Sequence, residues 1–181
     1  WVVRRSGTVR GSFVPSRDGL LMTKKVDSNP RRPGIIRLSA LGDVVHSLPV
    51  WLMLKSHLQG QNVPWVVQKE AASLLGIFLS PRELLTVDLR QRSLTNLRQE
   101  LNRVRQSLSG LGTDGLLDLQ GLIKTAVLGR LLGPVTWGMN RRDLREKQGS
   151  LLYHRSIAPF SPLLGRHHVI WKNLHVASAV L

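Results

Sequence analysis

The chain has 181 residues, 42% hydrophobic, 20% charged and 5% aromatic, with 26 Lys and Arg against 11 Asp and Glu for a formal net charge of +15. That length and composition suit one globular domain with a sizeable core and exclude a collagen-like or wholly disordered chain. There is no cysteine, so disulfide frameworks, thiolate zinc sites and cysteine nucleophiles are excluded, while the cationic excess points to an anionic partner: nucleic acid, an acidic membrane surface, or phosphorylated sugars and lipids.

Residues 1–33 carry eight Lys and Arg against Asp18 and Asp27, with scattered Gly, Ser and Pro and no sustained period. They read as a basic arm, disordered or non-native, with Met22 a candidate start. The arm lacks the charged start, apolar middle and small-residue cleavage site of a secretory leader. No stretch approaches the roughly 20 apolar residues of a membrane span, which predicts a soluble or peripheral protein.

From Gly34 onward apolar runs alternate with helix-period segments. "GIIRL" (34–38) predicts a first strand, and the segment to Leu58 a helix with Val44, Leu48, Leu52 and Leu54 or Lys55 near one stripe. Pro49 requires that this helix either kink or begin at Ser47 as its N-cap, because an interior proline costs about 3 kcal/mol; both readings put Asp43 in the connection. Strands follow at 63–68, 83–88, 114–119 and 134–139, and helices at 70–79, 93–108 and 122–133. The helix at 93–108 is marked by Leu94, Leu97, Leu101, Val104 and Leu108 at spacings of 3 and 4, with Arg98, Glu100, Arg103 and Arg105 on a solvated face. Nearly all-apolar strands separated by helices predict an α/β fold, a Rossmann-like parallel sheet with helices on both faces.

In such sheets ligands bind at the carboxyl ends of the strands, beside the helix N-termini. That rule selects Ser39, Gly42 and Asp43 after the first strand, Gln120, Gly121 and Lys124 after the fourth, and Asn140, Arg141, Arg142 and Arg145 after the fifth. Asp43 can cap the next helix, or, held near a positive helix end, accept a proton from a substrate hydroxyl. Gly121 permits close backbone approach, and Gln120 and Lys124, one helical turn apart, can face one crevice. Arg141, Arg142, Arg145 and Lys147, offset by Asp143 and Glu146, suit bidentate recognition of phosphate or carboxylate. No dinucleotide fingerprint, phosphate-binding loop or Gly-x-Ser-x-Gly elbow is present. The six His, including adjacent His167 and His168, show no metal-ligand spacing, so no metal is predicted.

Taken in order, "IIRLSALGDVVHSLP", "GLLDLQGLIKTAVLGRLLG" and "WGMNRRDLREKQGSLLYHR" resemble the N-terminal half of the bacterial ADP-heptose:lipopolysaccharide heptosyltransferases, glycosyltransferase family 9, over Gly34 to Arg155. The resemblance implies the acceptor-binding domain, 34–160, of a two-domain GT-B enzyme, with 161–181 starting the interdomain region and ADP-heptose binding a C-terminal domain that this chain lacks. It implies Kdo-lipid A as an anionic glycolipid acceptor and no other cofactor. It also implies a cytoplasmic enzyme with possible peripheral contact at the inner membrane, and a fragment inactive without a donor domain in cis or in trans. Asp43 matches the family's catalytic base for inverting transfer. Gln120, Gly121 and Lys124 match its "D-x-Q-G-L-x-K" stretch, and Arg145 and Tyr153 its "R-E…L-x-Y" stretch. Leu38 and Ala40 depart from it where hydroxyl residues are frequent. Two alternatives are a family 9 transferase for a different sugar and a nucleic-acid-binding module. The latter is disfavoured by one Tyr and three Phe, too few for stacking platforms.

Overall fold

The computed structural model describes residues 31–90, 93–133, 135–159 and 168–181, so most of the predicted arm lies outside the described residues. Arg31 and Arg32, read with the arm, are held by the body. Arg32 and Asp114 exchange hydrogen bonds at 2.9 and 3.2 Å, and the Arg31 guanidinium lies 5.8 Å from the Trp137 ring centroid.

Six strands form one sheet: β1 (Pro33–Ile36), β2 (Trp65–Gln68), β3 (Leu84–Val87), β4 (Gly115–Asp118), β5 (Thr136–Gly138) and β6 (Arg155–Ser156). Their order is β3-β2-β1-β4-β5-β6 and every neighbouring pair is parallel. This is the doubly wound order whose switch point lies between β1 and β4. Successive strand residues point to opposite faces. Ile35, Trp65, Val67, Leu117 and Trp137 pack on one side with α1 (Leu41–Val45), α2 (Leu48–His57), α3 (Lys69–Leu75) and α6 (Val169–Ser178). Ile36, Val66, Leu85, Val87 and Leu116 pack on the other with α4 (Leu94–Gly110) and α5 (Ile123–Leu132). Burial on both faces is why the strands read as unbroken apolar runs.

Three features differ from the sequence reading. Of the two readings Pro49 left open, the structure takes the start at Ser47, the N-cap of α2, with Pro49 in the first turn, where a missing N–H does no harm; what differs is a separate short helix before it, α1, ending at Val45. The break shifts the phase of the buried stripe, which becomes Val50, Trp51 and Leu54 while Leu52 is 59% exposed. In α4 the apolar stripe sinks into the core only toward its C-terminal end, at Val104 and Leu108, while Leu94 stands in solvent. Third, β6 and α6 lay outside the predicted elements. Val176, Ala177 and Val180 are buried in the core and Asn173 Nδ2 donates to Ser47 Oγ at 3.2 Å, so residues 168–181 pack as part of this domain.

Candidate functional site

The register pairs Ile36 with Asp118, so the segments leaving β1 and β4 start side by side and then turn to opposite sides of the switch point. Between them opens a cleft of about 400 Å³ lined by Arg37, Ser39, Asp43, Gln120, Gly121, Lys124, Asp143 and Arg145, with Val169 and Lys172 from α6. Residues some 80 positions apart in the chain thus share one wall.

Asp43 is not a helix cap. The N-cap of α1 is Ala40, no side chain caps it, and Asp43 sits in the first helical turn. Its Oδ2 lies 2.5 Å from a guanidinium nitrogen of Arg37, and the Asp43 side chain is 38% exposed. Arg37 follows β1 and is almost fully buried. Its other terminal nitrogen donates to the Leu119 carbonyl just past β4, and the Arg37 backbone carbonyl accepts from Trp65 Nε1 at 3.3 Å. The guanidinium therefore ties the ends of both strands to one carboxylate oxygen and fixes the carboxylate at the rim of the cleft. Its sequence signal was a charge, "IIRL", inside an otherwise apolar strand.

Across the cleft the turn after β4 is built on Asp118, fully buried. One carboxylate oxygen accepts from the Gln120 and Gly121 N–H groups at 2.8 and 3.2 Å. The other accepts from Thr125 Oγ1 and Tyr153 Oη, each at 2.8 Å. Burial pushes the Asp118 carboxyl above the usual aspartate range despite these donors, and burial together with the Asp118 charge keeps the Tyr153 phenol protonated. Gly121 takes φ +72°, and a Cβ there would come within 2.9 Å of Leu144 Cδ2, so glycine is required on both backbone and packing grounds. Gln120 also bridges: its Oε1 accepts from Leu38 N at 2.9 Å and its Nε2 reaches Ser39 Oγ at 3.5 Å. Tyr153 is buried, placing it beneath the site.

The N-terminus of α5 faces this cleft with the amides of Leu122, Ile123 and Thr125 already engaged. Leu122 N donates to Thr125 Oγ1 and Ile123 N to Glu146 Oε2. Attraction for an anion therefore comes from side chains: Arg37, Lys124, Arg145 and Lys172 outnumber Asp43 and Asp143 among the lining residues.

Of the residues selected from sequence, Ser39, Asp43, Gln120, Gly121, Lys124 and Arg145 line the cleft. Arg141 and Arg142 do not. With Asn140, Lys147 and Pro159 they line a separate hollow of about 710 Å³, because the chain turns over between Asn140 and Leu144 and sends Arg145 alone to the cleft. Gly42 lies exposed on α1 outside the lining, with open space where a side chain would stand. Sequence reasoning missed Arg37, Asp118 and Lys172, although Arg37 lies in "IIRLSALGDVVHSLP" and Asp118 in "GLLDLQGLIKTAVLGRLLG", two motifs it singled out. Among the described residues no group of three or more His, Asp or Glu is placed to hold a metal ion.

The doubly wound sheet, with a charged crevice at its switch point, defines a Rossmann-like α/β domain whose crevice is the candidate ligand site. No family profile matches the chain, but individual proteins do. Lipopolysaccharide heptosyltransferase 1 of Pseudomonas aeruginosa is 33% identical over 129 residues, covering 67% of this chain and 36% of the relative. The enzyme of the same name from Escherichia coli K12 is 29% identical over 126 residues, 67% of this chain and 40% of the relative. Among solved structures, E. coli heptosyltransferase WaaC with ADP superposes with a TM-score of 0.65 at 27% identity, covering 81% of this chain and 46% of that one. A family 9 glycosyl transferase from Veillonella parvula shares the fold, with a TM-score of 0.60 at 17% identity over 83% of this chain and 41% of that one. In sequence the chain is thus similar to lipopolysaccharide heptosyltransferases, and in fold to a family 9 glycosyl transferase. It spans about two-fifths of the length of the curated relatives it matches.

Proposed function

We propose that this domain is the acceptor half of a lipopolysaccharide heptosyltransferase and that Asp43 is its general base. The acceptor is an anionic glycolipid of the Kdo-lipid A inner-core type, held by Lys124, Arg145 and Lys172, with Ser39 and Gln120 at the sugar hydroxyls. Asp43 takes the proton of the acceptor hydroxyl as that oxygen attacks the anomeric carbon of ADP-heptose. The new glycosidic C–O bond forms, the bond to the diphosphate breaks with inversion, and ADP leaves. A positioned base contributes about 10²–10⁴-fold, and confining both substrates in one cleft contributes the rest. The donor, ADP-heptose, is bound by a second domain that closes on this one. The setting is the cytoplasmic face of the inner membrane, with peripheral contact.

The observation that carries this reading is a partly exposed carboxylate, oriented by a buried guanidinium, on the rim of a cleft rich in cations. The test is a chimera in which residues 31–181 replace the matching part of E. coli heptosyltransferase 1, assayed for ADP release with Kdo-lipid A. Turnover that Asp43→Ala removes, with acceptor affinity changed less than about threefold, supports the base. Undiminished kcat in Asp43→Ala would leave the carboxylate an ion-pair partner of Arg37 and nothing more.

A further inference from the structure

Helix α5 is apolar on two sides. Thr125, Ala126, Leu128, Gly129 and Leu132 are buried against the sheet, yet Ile123, Val127 and Leu131 are 41, 41 and 55% exposed. At about 100° per residue, positions four apart climb one side of a helix, so these three form a single outward stripe. Three residues before and after Val127 stand Lys124 and Arg130, both exposed, which places one cation about 60° to either flank of the stripe. The helix has no acidic residue. The 3-10 turn Lys147–Leu152 packs beside it and presents Lys147 and an 80% exposed Leu151. One buried side is enough to hold a surface helix on its sheet; a second apolar side framed by cations has another partner.

We infer that this outer face of α5 seats the domain on a bilayer surface with anionic headgroups. Val127, Leu131 and Ile123 enter the boundary between headgroups and acyl chains, while Lys124, Arg130 and Lys147 meet the phosphates, the arrangement of an interfacial basic amphipathic helix. Charge complementarity selects the occupant: Lys124, Arg130 and Lys147 outnumber the one adjoining carboxylate, Glu146 at the Ile123 N–H, a balance that matches an anionic leaflet better than it matches the cationic surface of a second copy of a +15 chain. The stripe begins beside Lys124, which lines the cleft, so seating it sets the cleft mouth at headgroup level. That last step rests on the glycolipid-acceptor reading; the docking itself does not.

The test is co-sedimentation of the full chain with vesicles of phosphatidylethanolamine and phosphatidylglycerol, against vesicles of phosphatidylcholine, for the wild type and Val127→Ser/Leu131→Ser. Both substituted side chains are exposed, so the fold survives, which circular dichroism checks. The wild type binds the anionic vesicles selectively, and the variant loses on the order of tenfold or more in affinity while binding a soluble, deacylated inner-core oligosaccharide as the wild type does. If neither chain binds the oligosaccharide but the vesicle difference persists, the docking surface stands and the acceptor reading falls. Equal vesicle binding by both chains, as would follow if basic residues 1–30 did all the work, overturns the inference. So does a solution dimer that the double substitution converts to monomer, which would assign the face to a second copy.

Discussion

Replacing Tyr153 by Phe removes one oxygen from beneath the cleft. The ring packs so closely on Gly138 that a Cβ there would lie 2.2 Å from it; Phe keeps that packing, so the variant isolates the bond from Tyr153 Oη to Asp118 Oδ2 at 2.8 Å. A hydrogen bond to a charged group contributes about 1.5–3 kcal/mol. For a domain of this size about 1 kcal/mol corresponds to roughly 2–4 °C in Tm, so the variant should melt about 3–12 °C lower at pH values where Asp118 is ionised. The pH dependence supplies a sharper check. Burial pushes the Asp118 carboxyl above its ordinary value of 3.8, and the Tyr153 hydroxyl is among the donors that pull it back. Between the unfolded and folded values the native state binds more protons, so stability falls as pH rises through that window. Without the hydroxyl the folded value climbs further and the loss is larger. The gap between wild type and Tyr153→Phe should therefore be small at about pH 4 and below, widen as Asp118 ionises, and stay constant above. Urea denaturation across that range, with unchanged m-values, measures it. A gap that does not widen anywhere as pH rises, or is equally wide in acid, would refute the view that the phenol stabilises an ionised Asp118.

Glu83 should show the opposite sign. Burial alone would raise its carboxyl, but Lys55, the Val63 N–H and Ser80 hold it below the ordinary 4.5, so its contribution is present above that value and is lost as pH falls through the folded one. Glu83→Gln is expected to cost about 2–4 kcal/mol near neutrality and progressively less in acid, read from the urea midpoint. Gly121→Ala, at φ +72° against Leu144, should cost about 1–2 kcal/mol, whereas Gly42→Ala, with open space around it, should be neutral or slightly stabilising by thermal melt. In the chimera, Arg37→Met should lower kcat about 10–100-fold with little change in acceptor KM, partly restored by Lys; an effect confined to KM would show that Arg37 binds substrate instead of orienting Asp43.

Much of the domain was readable because parallel strands covered on both faces leave apolar runs, and "GIIRL", "VPWVVQ" and "DGLLDL" each coincide with a strand. The cleft was half readable: the strand-end rule located Asp43, Gln120, Gly121, Lys124 and Arg145, but it also drew in Arg141 and Arg142, which the turn after Asn140 carries to another face. The helix break at His46–Ser47 was one of two readings that Pro49 allowed, and packing chose between them. The last helix escaped notice because the sequence before it had lost the pattern that made the other elements legible.

Local periodicity, then, determined which segments are strands and helices, that the sheet is parallel, and that a lone acid follows the first strand, because these depend on neighbours a few residues away. Only the tertiary structure decided that β1 lies beside β4, in a register that sets Ile36 against Asp118, and that Arg37 reaches from one strand end to the other to hold Asp43. It also brought Lys172 back from the end of the chain to the same cleft. Apart from the Arg37–Asp43 pair itself, these placements join residues some 80 to 130 positions apart, and what selects them is strand order and the burial of both sheet faces at once, which no short window of sequence contains.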